Sequence, residues 1–269
     1  MKGLKRVRIK IKGIVQGVGF RPTVYKHAVN NGVSGFVVNT PDGVTVELEG
    51  TKTQVEHVVE LIIKEPPTIS KITGHEIEWI DPIGASDFVI LKSTNYGVKE
   101  TEISPDISIC QECSKDIFDV NNRRYLYPFT NCTNCGPRFS IIKDRPYDRP
   151  NTSMKDFKMC ELCYKEYNDP TNRRFHAQPN ACPVCGPKIS IIHKEGTDEV
   201  DVMSKIIVGI KDGKLIAIKS IGGFNIACDA FNITSVERLR DKKKRGTRSF
   251  AVMMRDIDVV NKFCFVSQE

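Results

Sequence analysis

No stretch of this 269-residue sequence approaches the ~18 consecutive apolar residues of a membrane-spanning helix. No apolar leader core opens it either, because its first residues, MKGLKRVRIKIKG, alternate basic and apolar side chains. No segment is a basic tail: the net charge of +7 is spread along the chain. With 40% hydrophobic and 27% charged residues the composition is that of a globular protein, which excludes a membrane bundle, a disordered chain and a collagen-like fibre. The expectation is a cytoplasmic protein of two or three domains. Charge this diffuse gives little support to nucleic-acid binding. The run RLRDKKKRGTR (238–248), with seven basic residues and one acid, reads as a solvated helix end.

What the chain has in excess is cysteine, ten residues in all. Eight form four C-x-x-C pairs: Cys110/Cys113, Cys132/Cys135, Cys160/Cys163 and Cys182/Cys185. Eighteen residues separate Cys113 from Cys132, and eighteen separate Cys163 from Cys182. The whole block recurs at an offset of 50 residues, NNRRYLYPFTNCTNCGPRFSII (121–142) matching TNRRFHAQPNACPVCGPKISII (171–192). This is an internally duplicated module with the spacing of four-cysteine zinc sites. Zinc favours tetrahedral thiolate coordination, and a closed four-thiolate site leaves no position for catalysis, so two structural zinc ions are expected. A disulfide framework is the alternative, but it suits secreted chains. Spacing leaves open whether each ion takes its ligands from one repeat or from both. His176, in FHAQPNAC, reads as a surface or interface histidine, because four thiolates already complete a site. Cys228 and Cys264 read as buried thiols on apolar stretches.

The first ninety residues alternate between strand and helix patterns in the order βαββαβ, an α+β sandwich with two helices on one face of a mostly antiparallel sheet. Residues 4–11 alternate as a strand. Residues 51–65 carry Val55, Val58, Val59, Ile62 and Ile63 at helical spacing, and Pro41-Asp42-Gly43 marks a hairpin. Between the first strand and first helix lies GIVQGVGFR (13–21), a glycine-rich loop suited to presenting backbone N–H groups to an anion. Arg21 can grip phosphate oxygens in a two-pronged fashion.

The pairing of VQGVGFR with GFVVNTPDG resembles the acylphosphatase family. That resemblance implies a phosphate cradle at Gln16, Gly17, Val18, Gly19, Phe20 and Arg21. It further implies that Arg21 binds phosphate and Asn39 orients the attacking water. The cysteine module is followed by a linker at 194–199 and then by alternating helix and strand patterns. These include an expected strand at SFAVMMRD (249–256). Residues 200–269 resemble the start of a YrdC-like nucleotide-binding domain, with Lys243 and Arg245 in its Lys-x-Arg motif and Lys219 before Gly222-Gly223. Arg248-Ser249 stands where that family usually has Lys-Pro, and Ser220 and Asn225 also depart from its pattern.

Taken in order, the parts resemble the N-terminal portion of the hydrogenase-maturation carbamoyltransferase (HypF) family. RRYLYPFTNCTNCGPRFSII, PYDRPNTSM and RRFHAQPNACPVCGP carry the match. The expected division is an acylphosphatase-like domain at 1–92, a linker at 93–108, a tandem zinc-finger domain at 109–193 and an incomplete α/β YrdC-like part at 200–269. The family implies carbamoyl phosphate as substrate. It implies ATP for carbamoyl adenylate formation in the full-length protein, and a hydrogenase-maturation partner with a C-terminal cysteine acceptor. From this chain alone only acyl-phosphate hydrolysis is expected. The competing readings are a stand-alone acylphosphatase with a zinc scaffold, an RNA-binding protein and a non-catalytic fragment. Few exposed-looking aromatics among the basic residues of the zinc modules argue against RNA.

Overall fold

The computed structural model describes residues 3–94, 101–220 and 223–267. They fall into two compact units, Met1–Lys188 and Ile189–Glu269.

Strict alternation in β1 (Leu4–Ile14) sends Val7, Ile9 and Ile11 to one face, each no more than 1% exposed. Strands β2 (Ser34–Thr40) and β3 (Gly43–Thr51) form a hairpin, β3 lies antiparallel to β1, and β4 (Lys71–Ile80) pairs with β1's other edge. A short β5 (Phe88–Ile90) runs parallel to β2, giving the order β4-β1-β3-β2-β5. Helices α1 (Phe20–Asn30) and α2 (Lys52–Lys64) pack Val24, Ala28, Val55, Val58 and Ile62 into the same core as the strand valines and isoleucines. A capping box of Thr51 and Gln54 opens α2. The expected βαββαβ order is present, and β5 falls where DFVIL (87–91) reads as a further strand. The other sheet face carries charge that is paired. Glu47 accepts from Arg6 and Arg8, and Glu49 accepts the N–H groups of Ile83, Gly84 and Ala85 at 2.9, 2.7 and 3.2 Å.

Residues 101–188 hold two short helices, α3 (Gln111–Phe118) and α4 (Glu161–Asn168), each beginning directly after the first cysteine of its repeat. The remainder is turns stapled by side-chain hydrogen bonds. Residues 101–108, expected as linker, are packed: Thr101 donates to Pro41 O at 2.9 Å, Ser104 is buried and Ile107 bridges Gly136. Residues 95–100 of that expected linker lie outside the described residues.

The second unit has a hairpin, β6 (Ile191–His193) and β7 (Gly196–Asp198), where the other linker was expected. It continues through α5 (Val202–Lys211), a second hairpin of β8 (Ile216–Ser220) and β9 (Gly223–Ala227), α6 (Ile233–Lys243) and α7 (Ile257–Val260). The strand expected at 249–256 does not form: β8 and β9 pair with each other alone, so among the described residues no ladder partner reaches it. Cys228 is half-buried and Cys264 is exposed, which corrects the expectation of two buried thiols. Gly222 lies outside the described residues. Among those residues no helix is long and apolar enough to cross a membrane.

Leu48 sits wholly buried in β3 between the helices and the sheet. Leu48→Ala is expected to lower stability by about 2–5 kcal/mol in urea unfolding with an unchanged m-value. A shift of the midpoint too small to resolve would contradict this packing.

Candidate active site and metal centres

The glycine-rich loop turns between β1 and α1 with Gly17 at φ 73° and Gly19 at φ 78°, backbone conformations that favour glycine. Among the described residues, the N–H groups of Gly17, Val18, Gly19 and Phe20 have no hydrogen-bond partner. Successive free donors at a helix N-terminus form a concave site for an anion. The loop is pinned from both sides. The Gln16 side chain donates to Thr40 O at 2.8 Å and Gly43 O at 2.7 Å, and accepts from the Tyr147 N–H at 2.9 Å. Arg138 Nε donates to Gly17 O at 2.7 Å. A Cβ on Gly17 would come within 3.2 Å of Tyr147 and Arg138, so the loop is closely covered by the cysteine-rich region.

Arg21, in the first turn of α1, is 8% exposed. Its Nη2 donates to Asp148 Oδ1 at 2.7 Å, while Ser93 Oγ bonds both Arg21 Nη1 and Asp148. Asn39, near the end of β2, is fully buried, and neither Oδ1 nor Nδ2 has a partner. A buried amide left with both hydrogen-bonding atoms unpaired is costly unless a ligand or water completes it. Ser93, Asp148 and Tyr147 are not legible in the sequence, because they lie 72 or more positions away from the residue each one holds.

The eight cysteines gather as two clusters, Cys110/Cys113/Cys132/Cys135 and Cys160/Cys163/Cys182/Cys185, each from one repeat. Sulfur–sulfur separations are 3.7 and 3.8 Å in the first cluster and 3.6 to 3.8 Å in the second. A tetrahedron of thiolates with Zn–S of about 2.3 Å has edges of about 3.8 Å, whereas a disulfide is about 2.05 Å long. The donor set therefore fits one zinc per repeat. The buried cluster around the first site consists of cysteines alone, and Tyr127 of that repeat packs instead with Met154 and Ala181, so the metal would supply much of the module's folding free energy.

The paired arginines do not serve their own repeat. Arg123 reaches Cys163 Sγ at 3.4 Å, and Arg173 reaches Cys113 Sγ at 2.8 Å. Arg124, 1% exposed, donates to Glu166, Asn180 Oδ1 and Ala181 O, while Arg174 bonds Asp116 and Asn131 O. Burial pushes the Glu166 carboxyl up, but the hydrogen bonds and charges of Arg124 and Arg123 prevail and hold it down at about 2. Asp116 is likewise lowered, burial being outweighed by Arg174 and Arg173. The two repeats are locked by reciprocal grips about an approximate twofold relation.

His176 lies on the second repeat with φ 54°. Its neighbour Phe175 packs edge-on against Tyr25 of α1, one helical turn beyond Arg21, with ring centroids 5.4 Å apart. Burial, then the Arg21 charge, push the imidazole down to about 4. The interface reading of His176 describes its position. Phe118, Tyr125, Phe139 and Tyr164 are exposed on these repeats, contrary to the expected scarcity of exposed aromatics.

In the second unit Lys219 stacks over Phe224 at 5.0 Å, and Arg245 over Phe250 at 5.2 Å. Lys243 ends α6.

Family models match the chain in three places: Acylphosphatase over residues 7–90, HypF finger over 109–142 and 159–192, and Telomere recombination, the Sua5/YciO/YrdC family, over 209–269. Carbamoyltransferase HypF2 of Cupriavidus necator is 43% identical over 257 residues, 94% of this chain and 32% of that protein. A crystal structure of full-length HypF in a phosphate- and nucleotide-bound form superposes with a TM-score of 0.88 at 43% identity, covering 98% of this chain and 35% of that one. An acylphosphatase of Caldivirga maquilingensis is 40% identical over 85 residues, 31% of this chain and 86% of that protein. The chain thus spans about a third of the length of its longer relatives.

Freshly purified, reduced protein is expected to carry two zinc ions per chain. The crossed grip makes a sharper forecast, read by mapping which cysteines become alkylated during chelation. Arg173→Ala should weaken metal retention at Cys110, Cys113, Cys132 and Cys135 by roughly 10- to 100-fold. Arg123→Ala should do so at the other four. Equal labelling of both sites in each variant would contradict it.

Proposed function

We propose, from the premise that this chain belongs to the HypF family of carbamoyltransferases, that its N-terminal domain hydrolyses carbamoyl phosphate to carbamate and inorganic phosphate. The observation that carries this reading is the meeting of three features in one buried place. They are a cradle of free N–H groups, the Arg21 guanidinium and the unpaired Asn39 amide.

The chemistry follows from the groups present. The phosphoryl oxygens take the N–H groups of the cradle and the guanidinium donors that Asp148 and Ser93 leave free. Asp148 fixes one edge of the guanidinium and so orients the rest. Asn39 Oδ1 accepts a hydrogen bond from a water, whose oxygen attacks phosphorus as the bond to the carbamate oxygen breaks. An acyl phosphate already carries a good leaving group, so positioning of water and stabilisation of phosphoryl charge suffice without a nucleophilic side chain. The zinc ions supply structure: they hold the fingers, whose Tyr147, Asp148 and Arg138 brace the loop and its arginine.

The proposed functional division is 1–92, 109–193 and 200–269, with residues 101–108 packed against the first two parts. For the third part the proposal is nucleotide recognition, with Lys219, Lys243 and Arg245 as phosphate-binding cations. Carbamoyl adenylate formation from ATP, and transfer to the cysteine of a hydrogenase-maturation partner, belong to the longer proteins of the family.

Phosphate release from carbamoyl phosphate tests the reading. Arg21→Ala and Asn39→Ala are each expected to lower kcat/KM by about 10²–10³. Rates equal to wild type in both variants would remove the assignment.

A further inference from the structure

The two repeats are built alike, so the positions where they differ in chemistry mark what one copy does and the other does not. Leu126 and His176 are equivalent residues, share φ 54° and make the same backbone hydrogen bond, to Ile117 O and Tyr167 O respectively. Around that backbone the first repeat places Ile117, Leu126 and Pro128, whereas the second places Tyr167, His176 and Gln178. The polar trio is internally organised. The Tyr167 hydroxyl and the Gln178 amide bond one another, Gln178 donates to His176 O at 2.7 Å, and the Tyr167 and His176 rings lie 4.9 Å apart. Gln178 also accepts the Arg149 N–H at 2.8 Å, next to Asp148. Yet His176 Nδ1 is buried without a partner. The trio lies against the phosphate-binding arginine's surroundings: Phe175, beside His176, packs on Tyr25 one turn beyond Arg21, and Gln178 holds Arg149, whose neighbour Asp148 bonds Arg21.

The geometry points to His176, held by Tyr167 and Gln178, as the residue that recognises the acyl end of the substrate and selects a carbamoyl group. This rests on the hydrolase reading and sharpens it. A neutral imidazole offers one N–H donor and one bare nitrogen acceptor. With the ring proton on Nε2, the buried Nδ1 is an acceptor, and the amino group of a carbamoyl substrate can donate to it. Acetyl phosphate is nearly the same shape, but a methyl group stands where the amino group would be. It leaves the buried imidazole nitrogen unpaired, and a site built to hydrogen-bond a group rejects the analogue lacking it. The first repeat could not do this, since a leucine occupies the equivalent place.

The test is the ratio of kcat/KM for carbamoyl phosphate to that for acetyl phosphate, measured on the whole zinc-loaded chain. Wild type is expected to favour carbamoyl phosphate. His176→Leu installs the residue the first repeat already carries on the same backbone, and it is expected to lower the ratio by roughly tenfold to a hundredfold. His176→Asn suits the left-handed backbone and keeps a donor and an acceptor, so it should retain a larger share of the preference. His176→Ala gives the same reading if the leucine variant does not hold two zinc ions. A wild type that cleaves neither compound overturns the hydrolase reading, and this inference with it. A wild type that cleaves both, with a ratio unmoved in His176→Leu or His176→Ala, overturns the selectivity assignment alone.

Discussion

Four thiolates around one dication would leave two net negative charges, and the buried cluster at the first site holds nothing but the cysteines themselves. The crossed arginines answer that charge. Arg173 reaches a thiolate of the first cluster, Arg123 one of the second, and Arg124 and Arg174 tie the helices that follow each leading cysteine. Neither finger is electrostatically complete without the other. That mutual dependence ties the two small modules to each other beside the glycine-rich loop and Arg21.

The acylphosphatase-like sheet supplies a loop of free N–H groups and an arginine, but both lean on the fingers. Arg21 is held by Asp148, Gly17 by Arg138 and Gln16 by Tyr147. Residues 101–108 close the same seam through Thr101 and Ile107. The consequence is a glycine-rich loop and an arginine covered by residues 138–148. Enclosure strengthens the interaction of guanidinium with phosphate, because the local dielectric is lower.

Much of this was legible in the sequence because its physical signals are local. Period-two alternation in residues 4–11 and helical spacing at Val55, Val58 and Ile62 report burial directly. The C-x-x-C pairs report metal ligation, because only close sulfurs can share an ion. What stayed hidden depends on distant contacts. Nothing near Arg123 announces that it serves Cys163, and nothing near Asp148 announces Arg21. Residues 101–108 read as a linker because their burial comes from Pro41 and Gly136, not from their own pattern. The strand expected at 249–256 shows the same limit in reverse: β-propensity without a ladder partner leaves the backbone irregular. His176 reads in the sequence as a surface or interface histidine, and its difference from Leu126 gains meaning only because the two residues share one backbone conformation.

The central claim is that zinc-ordered fingers form one wall of the acyl-phosphate site. The most direct measurement compares the zinc-loaded and fully zinc-stripped chain for hydrolysis of carbamoyl phosphate and of the bulkier benzoyl phosphate. With the wall intact, carbamoyl phosphate should be strongly preferred. After metal removal the preference should collapse, with benzoyl phosphate gaining relative to carbamoyl phosphate. An unchanged preference in a chain shown to have lost both ions and its finger structure would contradict the account.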